Sequence, residues 1–253
     1  MIRGLDIFKK SFSPFPDCFV IIGGTACDLL YGEAGLTFRA TKDIDMVLCL
    51  DTPRPDFGRT FWDFITKGQY NHCETTTAYT QYYRFTHPFS SEYPHMIELF
   101  SRIPSGLSLP SHAKITPIPM SEDISSLSAI VLDKDYYTFL NAGKTIVEEL
   151  PVANVAHLIP LKAKAWIDLT QRKADGAHID STDIKKHRND IVRLLQLLPN
   201  TFIIDLPASI NEDMITCRTM LTKWTDFNGK LVGNTALTLG MLIDQLTRIY
   251  RLH

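Results

Sequence analysis

Two aspartates one residue apart, Asp43 and Asp45, stand in the run RATKDIDMVL that begins at Arg39, and upstream FVIIGGTACDLLYG (19–32) carries an apolar run into Gly23, Gly24 and Thr25. On an extended strand residues i and i+2 leave the same face, so both carboxylates share a face while Ile44 and Met46 point the other way. Carboxylates held that close repel unless a cation lies between them. A hard divalent ion such as Mg²⁺ suits the oxygen pair and keeps coordination positions for phosphate oxygens. A glycine pair between strand and helix lets backbone amides approach a ligand, and the helix N-terminus favours an anion. Taken singly, each motif has a plainer alternative, a strand-to-helix turn or a solvated acidic edge. Taken together, they point to phosphate chemistry with a metal.

Those residues need strands and a helix to hold them. CFVII (18–22) and DIDMVLCL (43–50) read as strands, and TACDLLYGEA between them reads as a helix over Thr25–Glu33. FGRTFWDFITKG predicts a second helix stopped by Gly68. TAYTQYYRFTH and HMIELFSR predict two more strands joined by the turn-like PFSSEYP. The proline-rich stretch Pro104–Pro119 is expected to be irregular with one short strand. From about Asn154 the apolar spacing becomes helical, in segments stopped by Gly176 and Pro199 with Ser181 or Thr182 as a cap, then near 207–225 and 232–251. The expected fold class is α+β: a mixed sheet flanked by helices over 1–150, followed by an α-helical domain over 151–253.

Composition narrows the function. With 45% hydrophobic and 21% charged residues the chain reads as an ordinary globular protein, and a formal net charge of −2 provides no global field for nucleic acid or anionic membranes. Five scattered cysteines without a C-x-x-C pair suggest neither a disulfide framework nor a zinc cluster, so a reduced, cytoplasmic protein is expected. Charges and prolines break the N-terminal run MIRGLDIFKKSFSPFPD, and no later run approaches the roughly 18 apolar residues of a membrane span; export and membrane insertion are not expected.

G-G-T at 23–25 followed by R-x-T-x-D-x-D from Arg39 to Asp45 resembles the nucleotidyltransferase superfamily that includes DNA polymerase β. Within it the chain is most similar to the minimal nucleotidyltransferases of the AbiEii toxin-like branch, and LIPLKAKAWIDL and KKHRNDIVRLL look like that branch's downstream lysine and aspartate motifs. The resemblance implies a nucleotidyltransferase fold and transfer of a nucleoside monophosphate from an NTP to an acceptor. Mg²⁺ or Mn²⁺ would be held by Asp43, Asp45 and Glu98, the last being the acid inside the apolar strand HMIELF. Gly23, Gly24, Thr25 and Arg39 would receive the triphosphate, and Lys162 and Asp190 would complete the site. The acceptor would be a tRNA, a protein or a small molecule, and the setting a toxin–antitoxin or phage-defence system with a cognate antitoxin. An aminoglycoside- or lincosamide-directed transferase and a catalytically silent NTP-binding or antitoxin-interacting module are the rival readings.

The remaining features have bland readings. Lys42, Lys185 and Arg188 are expected on solvated faces, and His72–Cys73 in ordinary packing. Trp62, Trp166 and Trp224 are expected to be core or interface anchors. YTQYYRF could present aromatics to a base, although strand alternation sends half of them inward.

Overall fold

In the computed structural model residues 2–49, 54–77, 80–101, 116–117 and 133–253 are described. They fall into two compact units. One holds the described residues up to 117 together with Asn141–Asn154, and the other holds 133–140 and Val155–His253.

The first unit is built on eight strands: β1 (Phe19–Ile22), β2 (Asp43–Leu48), β3 (Asn71–Thr77), β4 (Thr80–Thr86), β5 (Met96–Ser101), β6 (Thr116–Pro117), β7 (Lys144–Val147) and β8 (Leu150–Ala153). Their spatial order is β6-β3-β4-β5-β2-β1-β8-β7. The sheet is mixed: β2 runs parallel to β5, β1 to β8 and β3 to β6, and the other neighbours are antiparallel. Among the described residues three helices accompany it: α1 (Leu5–Phe12), α2 (Gly23–Glu33) and α3 (Pro55–Gly68).

Strand alternation sorts the two faces. Ile44 and Met46 of β2 lie opposite Ile97 and Leu99 of β5, which lie opposite Phe85 and Tyr83 of β4. Against this apolar face α3 sets Phe61 on Phe85 and Trp62 on both Tyr83 and Phe85, and Phe12 of α1 meets Phe57, Phe61 and Phe64 of α3. Burying each such ring is worth roughly 1.5–3 kcal/mol, so the cluster anchors one side of the sheet. The opposite face receives Asp43, Asp45, Glu98 and Arg84.

The second unit is helical: α4 (Lys134–Ala142, through Leu140), α5 (Val155–Ala174), α6 (Ser181–Leu195), α7 (Ala208–Thr222), a short 3-10 turn (Gly229–Val232) and α8 (Leu239–Ile249). Apolar stripes such as Ile191, Leu194 and Leu195 of α6 are fully buried. The fold is thus α+β, a mixed sheet flanked by helices and followed by helical structure. Among the described residues no helix is long and apolar enough to cross a membrane.

Several expectations shift in detail. α2 begins at Gly23, two residues before Thr25, because the glycine pair itself takes up the first helical turn. The cap of α6 is Asp180, whose carboxylate accepts from the Thr182 amide at 2.8 Å, so Ser181 and Thr182 lie inside the helix. Of the Pro104–Pro119 stretch, all but Thr116–Pro117 lies outside the described residues, and those two form β6. Trp62, Trp166 and Trp224 are all buried, as expected of core anchors. The side chains of His72 and Cys73 lie outside what is described.

His157 of α5 gives this unit a pH dependence. It is buried with its ring 4.2 Å from that of Phe139, and burial lowers its pKa from 6.5 to about 4. Below pH 6.5 the unfolded chain takes up a proton that the folded chain refuses. Stability should therefore fall as pH drops from about 6.5 to 4 and level off below, by up to about 3 kcal/mol. Urea denaturation at pH 7 and 4.5 checks this: His157→Gln should lose markedly less stability over that interval than the wild type.

Candidate active site

The site grows from one register. Asp45 of β2 lies opposite Glu98 of β5, Glu98 lies opposite Arg84 of β4, and Asp43 lies opposite Met96 one step along the same face. Asp45 is only 8% exposed and Glu98 4%, whereas Asp43 is partly open. Buried carboxylates are costly unless compensated. For Glu98 the compensation is visible: Arg84 Nε donates to its Oε1 at 2.8 Å.

The glycines close the site from the α2 side. Gly23 sits at φ +69°, in the left-handed region, and a Cβ there would fall on the Asp45 carboxylate. A Cβ on Gly24 would lie 2.5 Å from Thr41 Oγ1, with an Arg39 Nη beyond at 3.9 Å. The start of α2 has no side-chain cap and no acid in its first turn, so its amides meet the acidic face with their partial positive charge intact. Thr25 is fully buried and its hydroxyl donates to the Asp43 carbonyl at 2.6 Å. That bond ties α2 to β2 and fixes the strand that carries both aspartates. Arg39 is half-buried, its guanidinium 5.3 Å from the Phe38 ring centroid.

The structure therefore gathers Asp43, Asp45, Glu98, Gly23, Gly24, Thr25 and Arg39 in the first unit. Lys162 and Asp190 belong to the second unit, where they meet each other. Lys162 lies midway along α5, is 2% exposed, and its ammonium is 3.1 Å from the fully buried Asp190 carboxylate of α6, which Arg193 also approaches at 3.4 Å. Arg188 departs from the solvated reading: its guanidinium lies 3.6 Å over the Trp224 ring, and burial lowers its pKa. Arg84 and Thr41 were not singled out from the sequence. The available signal for Arg84 was a lone cation in an aromatic strand at the alternation that faces Glu98.

Cavities lined by described residues also lie in the helical unit. One, of about 540 Å³, includes Leu198, Leu237, Met241 and Arg248 in its lining. Another, of about 410 Å³, is lined by acids already matched with Lys164, which lies 3.0 Å from Asp213 and 3.6 Å from Asp168. Burial raises the pKa of Asp168 there, against the pull of Lys164.

The donor set fits a divalent ion. Asp43 and Asp45 offer two hard oxygen ligands on one face, beside a cradle that any Cβ on Gly23 would fill. Among the described residues no group of three or more His, Cys, Asp or Glu side chains is placed to hold a metal. A two-carboxylate site leaves the other positions to substrate oxygens and water, as Mg²⁺ sites commonly do.

Gly23→Ala tests the cradle. The left-handed conformation alone costs an alanine roughly 1–2 kcal/mol, and the collision with Asp45 adds to that. The variant should lose at least about 2 kcal/mol of stability in urea.

No family model matches the chain, and no curated protein matches it. Among solved structures it is similar to an antigenic nucleotidyltransferase-like protein from Paracoccidioides brasiliensis, at 13% identity and a TM-score of 0.43, with 96% of this chain and 90% of that one covered.

Proposed function

We propose that the protein is a divalent-metal-dependent nucleotidyltransferase. The observation that carries this reading is the placement of Asp43 and Asp45 on one strand face, with Asp45 directly against Gly23 at the uncapped start of α2. Asp43 and Asp45 would hold Mg²⁺ or Mn²⁺, which when bound supplies the charge neutralisation that a triphosphate and its leaving pyrophosphate require. The Gly23 and Gly24 backbone would receive phosphate oxygens close to the α2 amides, where a side chain would obstruct them. Arg39, beside Gly24, adds a fixed cation on the same side. An acceptor hydroxyl attacks the α-phosphorus and releases its proton to solvent, the new P–O bond forms, the bond to the bridging oxygen breaks, and pyrophosphate departs with that electron pair. Such a reaction asks for alignment and electrostatics more than for covalent help from the protein.

The finer reading, an AbiEii-like toxin with an antitoxin partner, is supported by the R-x-T-x-D-x-D run and the two downstream helical motifs. Incubation with each of four α-labelled NTPs plus total RNA, cell protein or candidate small hydroxyl compounds tests the activity and names the acceptor class. Transfer of label to one fraction, dependent on added Mg²⁺, is the expected result. Absence of label from every fraction and every NTP would count against the proposal.

A further inference from the structure

The ion pair between Arg84 and Glu98 bears on how many metal ions the site takes. This inference rests on the nucleotidyltransferase reading of that same site. Asp43, Asp45 and Glu98 share one face of the sheet, and Arg84 stands across from Glu98 on β4. Glu98 is 4% exposed, and Arg84 Nε holds its Oε1 at 2.8 Å from the register position directly across β4. With Oε1 engaged by Arg84, Glu98 could reach an ion only through Oε2 and with a guanidinium beside the metal, whose positive charge opposes binding there.

We infer that Arg84 is the standing counter-ion of Glu98 and keeps that carboxylate out of metal coordination, so that a single divalent ion is held through Asp43 and Asp45. Arg84 is in this account a positioning residue: it acts on the metal through Glu98.

Mn²⁺ titration of the full chain, followed by the electron paramagnetic resonance signal of the free ion, tests the inference without relying on transfer activity. Wild type should bind a single Mn²⁺. Glu98→Gln keeps an oxygen for Arg84 and should change the Mn²⁺ affinity by no more than about twofold, whereas Asp45→Asn should weaken it about tenfold or more. Arg84→Gln, which releases Glu98, should bind a second Mn²⁺ or hold the first about fivefold more tightly, and Arg84→Lys should restore wild-type stoichiometry. If Arg84→Gln fails to fold, the Glu98→Gln comparison still decides. Weakening by Glu98→Gln as large as that by Asp45→Asn would make Glu98 a ligand and overturn the inference while leaving the metal site standing. Wild type that binds no Mn²⁺ would overturn both the inference and the metal-dependent reading on which it rests.

Discussion

Asp45→Asn should abolish nucleotidyl transfer, lowering it by roughly a thousandfold or more, with a folded protein remaining. The amide keeps the shape of the carboxylate that lies against Gly23. What is removed is a negative charge at a position 8% exposed, where water cannot substitute for it as a metal partner. Asp43→Asn should behave in the same way but less severely, since Asp43 is more open and its carbonyl bond with Thr25 is untouched by the change. Transfer rates together with melting curves separate the two effects. Unchanged transfer in Asp45→Asn would remove that residue from the site.

Lys162→Ala should be the most damaging single change for stability. It leaves Asp190, which has no exposure, charged beside an apolar stripe, with Arg193 3.4 Å from its other oxygen. Breaking a buried pair typically costs 3–5 kcal/mol, and Arg193 places the expected loss near the lower end, about 3 kcal/mol. In a domain of this size that is a fall in melting temperature on the order of 10 °C. The double variant Lys162→Met with Asp190→Leu should recover most of the loss, because two apolar side chains of similar volume carry no desolvation cost. Thermal melts of the wild type, the single variant and the double variant measure this. A Lys162→Ala protein that melts normally but has lost transfer would instead mean that the lysine acts on the substrate.

The parts of the fold that were legible in the sequence are those whose local chemistry agreed with their place. The β1–α2–β2 segment was readable because an apolar β-branched run, a glycine pair and an alternating acidic strand each have a single local solution. Helices α5 to α7 were readable from three- and four-residue apolar spacing. The β7–β8 hairpin was not, because its turn is made by Glu148 and Glu149 at φ 46° and 68° where the usual signal is Asn-Gly. β3 was missed because NHCETTT has no apolar alternation; its place is given by pairing with β4 and β6. In the site, the pairing of Asp43 with Asp45 could be read from spacing alone. The partner of Glu98 could not, because Arg84 becomes its neighbour only through the antiparallel register of β4 on β5. Lys162 and Asp190 could be singled out as a lysine and an acid on successive helices, but their mutual burial is a product of helix packing that spacing does not encode.

The central claim, that Asp43 and Asp45 hold a metal that receives an NTP, is tested most directly by calorimetric titration with a non-hydrolysable NTP analogue in Mg²⁺ and in EDTA. The account predicts binding in Mg²⁺ that weakens by about tenfold or more in EDTA, and equally weak binding in both conditions for Asp45→Asn. Equal affinity with and without the metal in the wild-type protein would contradict it.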